Sequence, residues 1–296
     1  MLILVFGFRY KRPAVTLLLL LSLAASAFAA GDGQIARKLA ALEKIEDKFV
    51  FVVLGDSRTG DDVYRRIAAM AMERKPRFVV HTGDMLEKPG RTKMWANFWR
   101  MSRRITVPYF LARGNHDAKT KTLFSDTEKT YKEQVDHPGN ELYYSFIAGN
   151  SLFVVLDSFE EGSGKRISGE QYAWLEKVLA DSEKRHTFVF LHHPLYTEPG
   201  KGGHAGDCLD KYPEDRDRLQ ALFVKHRVTA VFSGHEHLYQ RMTVDDVTHI
   251  ITGGGGAPLY VGEKDGGFHH FVVVTVEGDT VSAEVVDIGG RVRDRF

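Results

Sequence analysis

Lys48-Phe49-Val50-Phe51-Val52-Val53-Leu54 runs without a break in its apolar character into Gly55-Asp56-Ser57-Arg58. An apolar run of this length that stops at glycine is the pattern of a strand buried on both faces. Such a strand needs cover on each side, and the sequence around it supplies that cover. Residues 61–75 place Val63, Ile67, Met70 and Ala71 on one helical stripe. Phe78-Val79-Val80 reads as a second strand, ending in Thr82-Gly83-Asp84. Residues 95–104 read as a helix, and residues 107–111 as a third strand ending in Arg113-Gly114-Asn115-His116-Asp117. Strands alternating with helices imply parallel strands joined by right-handed crossovers.

Further along, residues 143–147 and 152–156 flank Ala148-Gly149-Asn150-Ser151 and read as a hairpin. A helix is expected near residues 169–181. Two more strands then end in polar residues: 187–191 in His192-His193-Pro194, and 228–232 in Ser233-Gly234-His235. Strand-like runs follow at 248–252, 268–276 and 281–286, without a helix between them. The fold class is α/β, with two sheets packed face to face in a single domain over residues 30–296.

The composition narrows the chemistry. The 296 residues carry 40 Lys and Arg against 39 Asp and Glu, so no global basic field points to nucleic acid. Cys208 is the single cysteine, which excludes an intramolecular disulfide and a thiolate metal cage. Arg9, Lys11 and Arg12 precede the apolar run Val15-Thr16-Leu17-Leu18-Leu19-Leu20-Leu21, and Ala27-Phe28-Ala29 follows. That order is a signal peptide over residues 1–29, with an uncleaved membrane anchor as the alternative. Its removal takes three positive charges and leaves a formal charge of −2. An exported chain without disulfides points to a bacterial periplasm or exterior. No later segment is apolar and long enough to span a bilayer.

Five apolar runs end in residues that carry chemistry: Asp56, Asp84, Asn115-His116, His192-His193 and His235-Glu236-His237. In open α/β sheets ligands bind beyond the carboxyl ends of strands, so these side chains are expected around one crevice. Carboxylate, amide and imidazole donors without thiolate suit Zn, Mn or Fe, and there are more of them than one ion needs. Two ions about 3.5–4 Å apart, sharing a carboxylate, is an arrangement of phosphate-ester hydrolases. Either His192 or, in its place, His193 qualifies as the ligand at that strand end. If the segment is extended they point to opposite sides.

The ordered set Gly55-Asp56, Gly83-Asp84, Gly114-Asn115-His116-Asp117, Leu191-His192-His193-Pro194 and Gly234-His235-Glu236-His237 resembles the motifs of the calcineurin-like metallophosphoesterase superfamily. Pro194-Leu195-Tyr196, Leu238-Tyr239-Gln240-Arg241 and the run from Thr252 through Gly253-Gly254-Gly255-Gly256 to Tyr260 are similar to its purple acid phosphatase branch. The resemblance implies a four-layer α/β/β/α sandwich of two mixed sheets. It implies a phosphoesterase, monoesters favoured and diesters or nucleotides as alternatives, that uses metal-activated hydroxide and one or two divalent or trivalent ions (Fe, Zn or Mn). By residue, Asp84 matches the bridging carboxylate. Asp56 and His237 match ligands of the first ion, and Asn115, His192 and His235 those of the second. His116 matches the histidine that protonates the leaving oxygen or steadies the phosphate, and His204 a substrate-contacting histidine.

The chain departs from the pattern at the first ion. The family has Asp-x-His there, or a tyrosine three residues after the second Asp. Here Arg58 and Glu87 stand at those positions. Guanidinium has donors only and cannot ligate a cation, but it grips phosphate. Glu87 offers an oxygen ligand in place of the tyrosine, so no tyrosinate-to-iron colour is expected. Two other classes compete. Gly55-Asp56-Ser57 resembles the first block of SGNH-type esterases, with Ser57 as nucleophile, His249 as base and Asp246 orienting it. A non-catalytic phosphate-binding relative is the third reading. Taken singly, Asp56 and Asp84 also fit as helix N-caps. Residues 131–140 and 198–212 are the candidate substrate loops.

Overall fold

Successive side chains of Lys48–Leu54 (β1) alternate between two cores, which is the physical reason an unbroken apolar run is needed there. Phe49, Phe51 and Val53 face a core shared with a second sheet. Val52 and Leu54 face a core shared with helices. The computed structural model describes residues 34–118, 127–159, 165–198, 200–204 and 206–296. Residues 1–29, which the sequence leads one to expect as a signal peptide, lie outside them.

In chain order, Gln34–Leu42 (α1) precedes β1, and Asp61–Glu73 (α2), Phe78–His81 (β2), Thr92–Ser102 (α3), Tyr109–Leu111 (β3), Asn115–Ala118 (α4) and Thr127–Gln134 (α5) follow it. Then come Tyr144–Ala148 (β4), Ser151–Val155 (β5), Gly169–Ala180 (α6), His186–Phe190 (β6), Pro213–Lys225 (α7), Ala230–Ser233 (β7), Tyr239–Val244 (β8) and Val247–Thr252 (β9). His270–Glu277 (β10), Thr280–Asp287 (β11) and Val292–Arg295 (β12) close the chain. One sheet has the order β12-β11-β10-β1-β2-β3 and the other β4-β5-β6-β7-β9-β8. Both are mixed. β1, β2 and β3 are parallel neighbours, as are β5, β6, β7 and β9, whereas β10, β11 and β12 pair antiparallel.

The inner faces meet in an aromatic seam. Phe51 stacks on Phe78 at 5.3 Å and meets Phe153 and Phe188 edge-on at 5.2 and 5.1 Å. Offset and edge-to-face pairs of this kind add to the burial of each ring. Outside, Tyr64, Ile67, Trp95 and Phe98 of α2 and α3 cover the first sheet. Leu175, Leu179, Leu219 and Phe223 of α6 and α7 cover the second. The result is the four-layer α/β/β/α sandwich. Among the described residues, no helix is long and apolar enough to cross a membrane.

Candidate metal centre

The first sheet sends three chemical strand ends and the second sheet two to the same edge of the sandwich. Asp56 follows β1, Asp84 follows β2 and Asn115 follows β3. His192 follows β6, and His235 and His237 follow β7. The backbone there is bent hard. Asp56, Asp84 and His235 have φ of 57°, 60° and 69°, a left-handed conformation that costs free energy in residues with a Cβ. Buried hydrogen bonds hold it. Asp117 accepts N–H bonds from Asp84, Met85, Leu86 and Gly114 at 2.9–3.1 Å. The Asp56 carboxylate accepts the His235 N–H at 3.0 Å. Gly114 is required by contact, since a Cβ there would sit 2.3 Å from the Asp84 backbone nitrogen.

The donor atoms crowd one another at the strand ends. His192 Nδ1 donates to the Thr82 carbonyl at 2.9 Å, which leaves a lone pair on Nε2. That nitrogen lies 3.4 Å from Asp84 Oδ1 and 3.0 Å from Asn115 Oδ1. His237 Nδ1 donates to the Pro258 carbonyl at 2.6 Å, and its Nε2 lies 3.5 Å from Asp56 Oδ1. His235 Nδ1 is 3.0 Å from the same Asn115 oxygen. Lone pairs brought this close repel unless a cation lies between them. Donors about 2.1 Å from one ion sit about 3.0–3.4 Å apart, so the donor set fits a metal. Asp56, Asp84 and His237 form one buried group of possible ligands.

Around these donors stand groups suited to an anion. Arg58 Nε donates to Asp84 Oδ2 at 3.2 Å, and its Nη2 donates to the Tyr260 hydroxyl at 3.4 Å. The Tyr260 ring lies flat on His237, with centroids 4.4 Å apart. His116 donates its backbone N–H to Asp84 Oδ1 and its Nδ1–H to the Glu87 carbonyl at 2.9 Å, which leaves Nε2 available. The His204 ring lies 4.4 Å from that of His235. Its loop is tied down by Glu236, whose carboxylate accepts the N–H groups of Gly203 and His204 at 2.7 Å each.

Residues 30–239 match the family model described as calcineurin-like phosphoesterase. The chain belongs to the calcineurin-like phosphoesterase family. It is a hydrolase family acting on phosphate esters, and its chemistry depends on metals. Purple acid phosphatase 23 of Arabidopsis thaliana is 28% identical over 232 residues, 75% of this chain and 47% of that protein. Serine/threonine-protein phosphatase CPPED1 of Bos taurus is 28% identical over 247 residues, 75% of each chain. The chain thus spans about half of the plant relative. Among solved structures, a purple acid phosphatase from yellow lupin seeds superposes with a TM-score of 0.66 at 21% identity, over 85% of this chain and 53% of that one.

Electrostatics in the phosphoesterase centre keep its histidines neutral and set its two carboxylates apart. Burial alone would raise the pKa of Asp84, but the backbone N–H of His116 and the Arg58 guanidinium hold it below the usual carboxylate range. Burial and the neighbouring Asp84 push Asp56 up. Burial lowers His237 to about 4 and carries His235 well below its ordinary value. These imidazoles are therefore neutral at pH 7 and present lone pairs, the form in which histidine ligates.

Three expectations from sequence need correction. His193 does not point away from His192. The chain bends after β6, and the His193 ring lies 4.9 Å from His192 and 4.4 Å from His235. The Glu87 carboxylate is half exposed and turned to Lys88, outside the donor group. Only its carbonyl serves the site. Residues 131–140 are not wholly a loop, because α5 carries Tyr131 into the core and its hydroxyl donates to the Leu111 carbonyl. The rival readings also lose their contacts. Ser57 Oγ pairs with His81 Nε2 at 3.0 Å, while His249 pairs with Gln220. His81 Nδ1 accepts the Gly83 N–H, so Nε2 carries the proton and cannot act as a base for Ser57. The N-cap position of α2 is Gly60, not Asp56. Asp117, Glu236 and Tyr260 were visible in the motifs, but their supporting contacts arise only on folding.

Proposed function

We propose that this phosphoesterase hydrolyses small phosphate esters, monoesters preferred, at a centre in which Asp84 joins two cation positions. Asp56 and His237 complete the first position, and Asn115, His192 and His235 the second. Bound cations lower the pKa of coordinated water toward neutrality and neutralise charge on the phosphoryl oxygens. Arg58 offers two more N–H donors to those oxygens in a forked geometry. His116, with Nδ1–H anchored on the Glu87 carbonyl, presents Nε2, which as imidazolium would give its proton to the leaving oxygen and return to the neutral ring. His204, its backbone fixed through Glu236 and its ring beside those of His235 and Tyr260, is within the same group of residues and would contact the substrate. The observation that carries this reading is the close approach of buried imidazole nitrogens to buried carboxylates, His192 to Asp84 at 3.4 Å and His237 to Asp56 at 3.5 Å.

Elemental analysis of the purified chain, beside a panel of monoesters and diesters, tests it. Chelation should abolish turnover, and Zn, Mn or Fe should restore it. Asp84→Ala should lower turnover by about 10³-fold or more and reduce bound metal. Wild-type turnover with full metal content in that variant would refute the shared carboxylate. Because Arg58 already bonds Asp84, a phosphate-binding protein without turnover is the second reading. It would be chosen by phosphate binding with no hydrolysis under every metal. We also propose export to a periplasm or the exterior, which N-terminal sequencing of the exported chain would test by a start near residue 30.

A further inference from the structure

We propose that His193 is an additional imidazole ligand of the second cation position, giving it three histidines, His192, His193 and His235, beside Asn115 and Asp84. The inference rests on the cation reading above and goes beyond it, since the sequence offered His193 only in place of His192 and not beside it.

His193 is fully buried, and its Nε2 makes no hydrogen bond among the described residues. A buried polar atom without a partner is costly and asks for one. The nitrogen is not stranded in an apolar pocket, because one donor atom each from His192, His193 and His235 lies within 4.8 Å of the others. The other ring nitrogen is fixed. His193 Nδ1 lies 2.9 Å from Ser158 Oγ, and the same oxygen accepts the His193 backbone N–H at 2.9 Å. A histidine whose outer nitrogen is held by an oxygen while the inner one is left open is arranged as metal ligands are. Ser158 stands just beyond β5, so another strand end joins the centre. A third imidazole also changes which ion is preferred. Imidazole suits Zn, Co and Ni, whereas Mg and Mn prefer oxygen. The second position should therefore select the former group.

Two variants separate ligation from support. In His193→Asn the amide reaches the Nδ1 position, keeps the Ser158 contact and leaves no donor where Nε2 was. In His193→Gln an oxygen reaches the Nε2 position. The full chain, freed of metal, is titrated with Co2+ and with Mg2+ by calorimetry, and the visible spectrum of the Co2+ complex is recorded. Circular dichroism checks each variant's fold. His193→Asn should weaken Co2+ binding by about 30-fold, alter the Co2+ bands and change Mg2+ binding by less than about 3-fold, with His193→Gln intermediate. Unchanged Co2+ affinity and spectrum in a folded His193→Asn would overturn the ligand role while leaving the cation reading intact. Wild-type protein that binds no metal would overturn both.

Discussion

Arg58 stands where family members carry a metal-binding histidine, and its guanidinium rests on the very carboxylate that two cations would share. A fixed positive charge there competes with a first ion. Arg58→His restores the Asp-x-His spacing. It should raise bound metal toward two equivalents per chain, measured by elemental analysis, and weaken phosphate-ester binding through loss of the fork. No gain in metal would mean that Arg58 does not limit that position. Ser57→Ala should leave turnover near wild type, because its hydroxyl accepts a bond from His81 and has no base. The cost should be about 1 kcal/mol of stability, read from denaturant unfolding. Loss of all turnover would revive the serine-esterase chemistry. His193 shows where reading single residues fails. An alternating strand predicts opposite faces for His192 and His193, but the bend after Phe190 puts both rings in the centre.

Strands with two buried faces are legible because nothing but an apolar run can occupy them. β1, β2 and β6 were therefore evident, and with them the positions of Asp56, Asp84 and His192. Edge strands are less legible. β8 has three side chains that are half-buried, two exposed and one buried, and β12 reads Val-Arg-Asp-Arg, so neither has the apolar content that marks a strand. Only pairing with β9 and β11 makes them strands. Helices α5 and α7 were also missed, since the polar sequences of both give weak periodicity. The turn after β3 is a place where an element depends on one atom. Gly114→Ala puts a methyl group 2.3 Å from both the nitrogen and Oδ1 of Asp84. It should cost about 2 kcal/mol in thermal unfolding and lower metal content. Unaltered melting and metal content would show that the turn has more freedom than this contact allows.

At the scale of the molecule, buried neutral histidines set the acid limit of stability. Burial lowers His249 and His270 to about 4 from an ordinary value of 6.5. The unfolded chain therefore binds more protons than the folded one between those pH values, and stability falls as pH falls from 6.5 to 4. Each contributes up to about 3 kcal/mol of that loss. His249→Gln should flatten the decline, measured as urea midpoints at pH 7 and pH 4.5, and an equal decline in both proteins would remove His249 from the explanation. The layered architecture was legible because β1 demanded cover on two faces, and so was the convergence of strand ends on one crevice, whereas the even division of the donors between the two sheets emerges only in the folded chain. That division of donors has a mechanical outcome. Cations held by Asp56, Asp84 and Asn115 from one sheet and His192, His235 and His237 from the other would rivet the two halves together at their open rim. Unzipping either half would scatter part of the ligand set, so metal release and collapse of the whole would become a single cooperative event. Ion at a hundredfold excess over its dissociation constant then adds about 2.7 kcal/mol of resistance to heat.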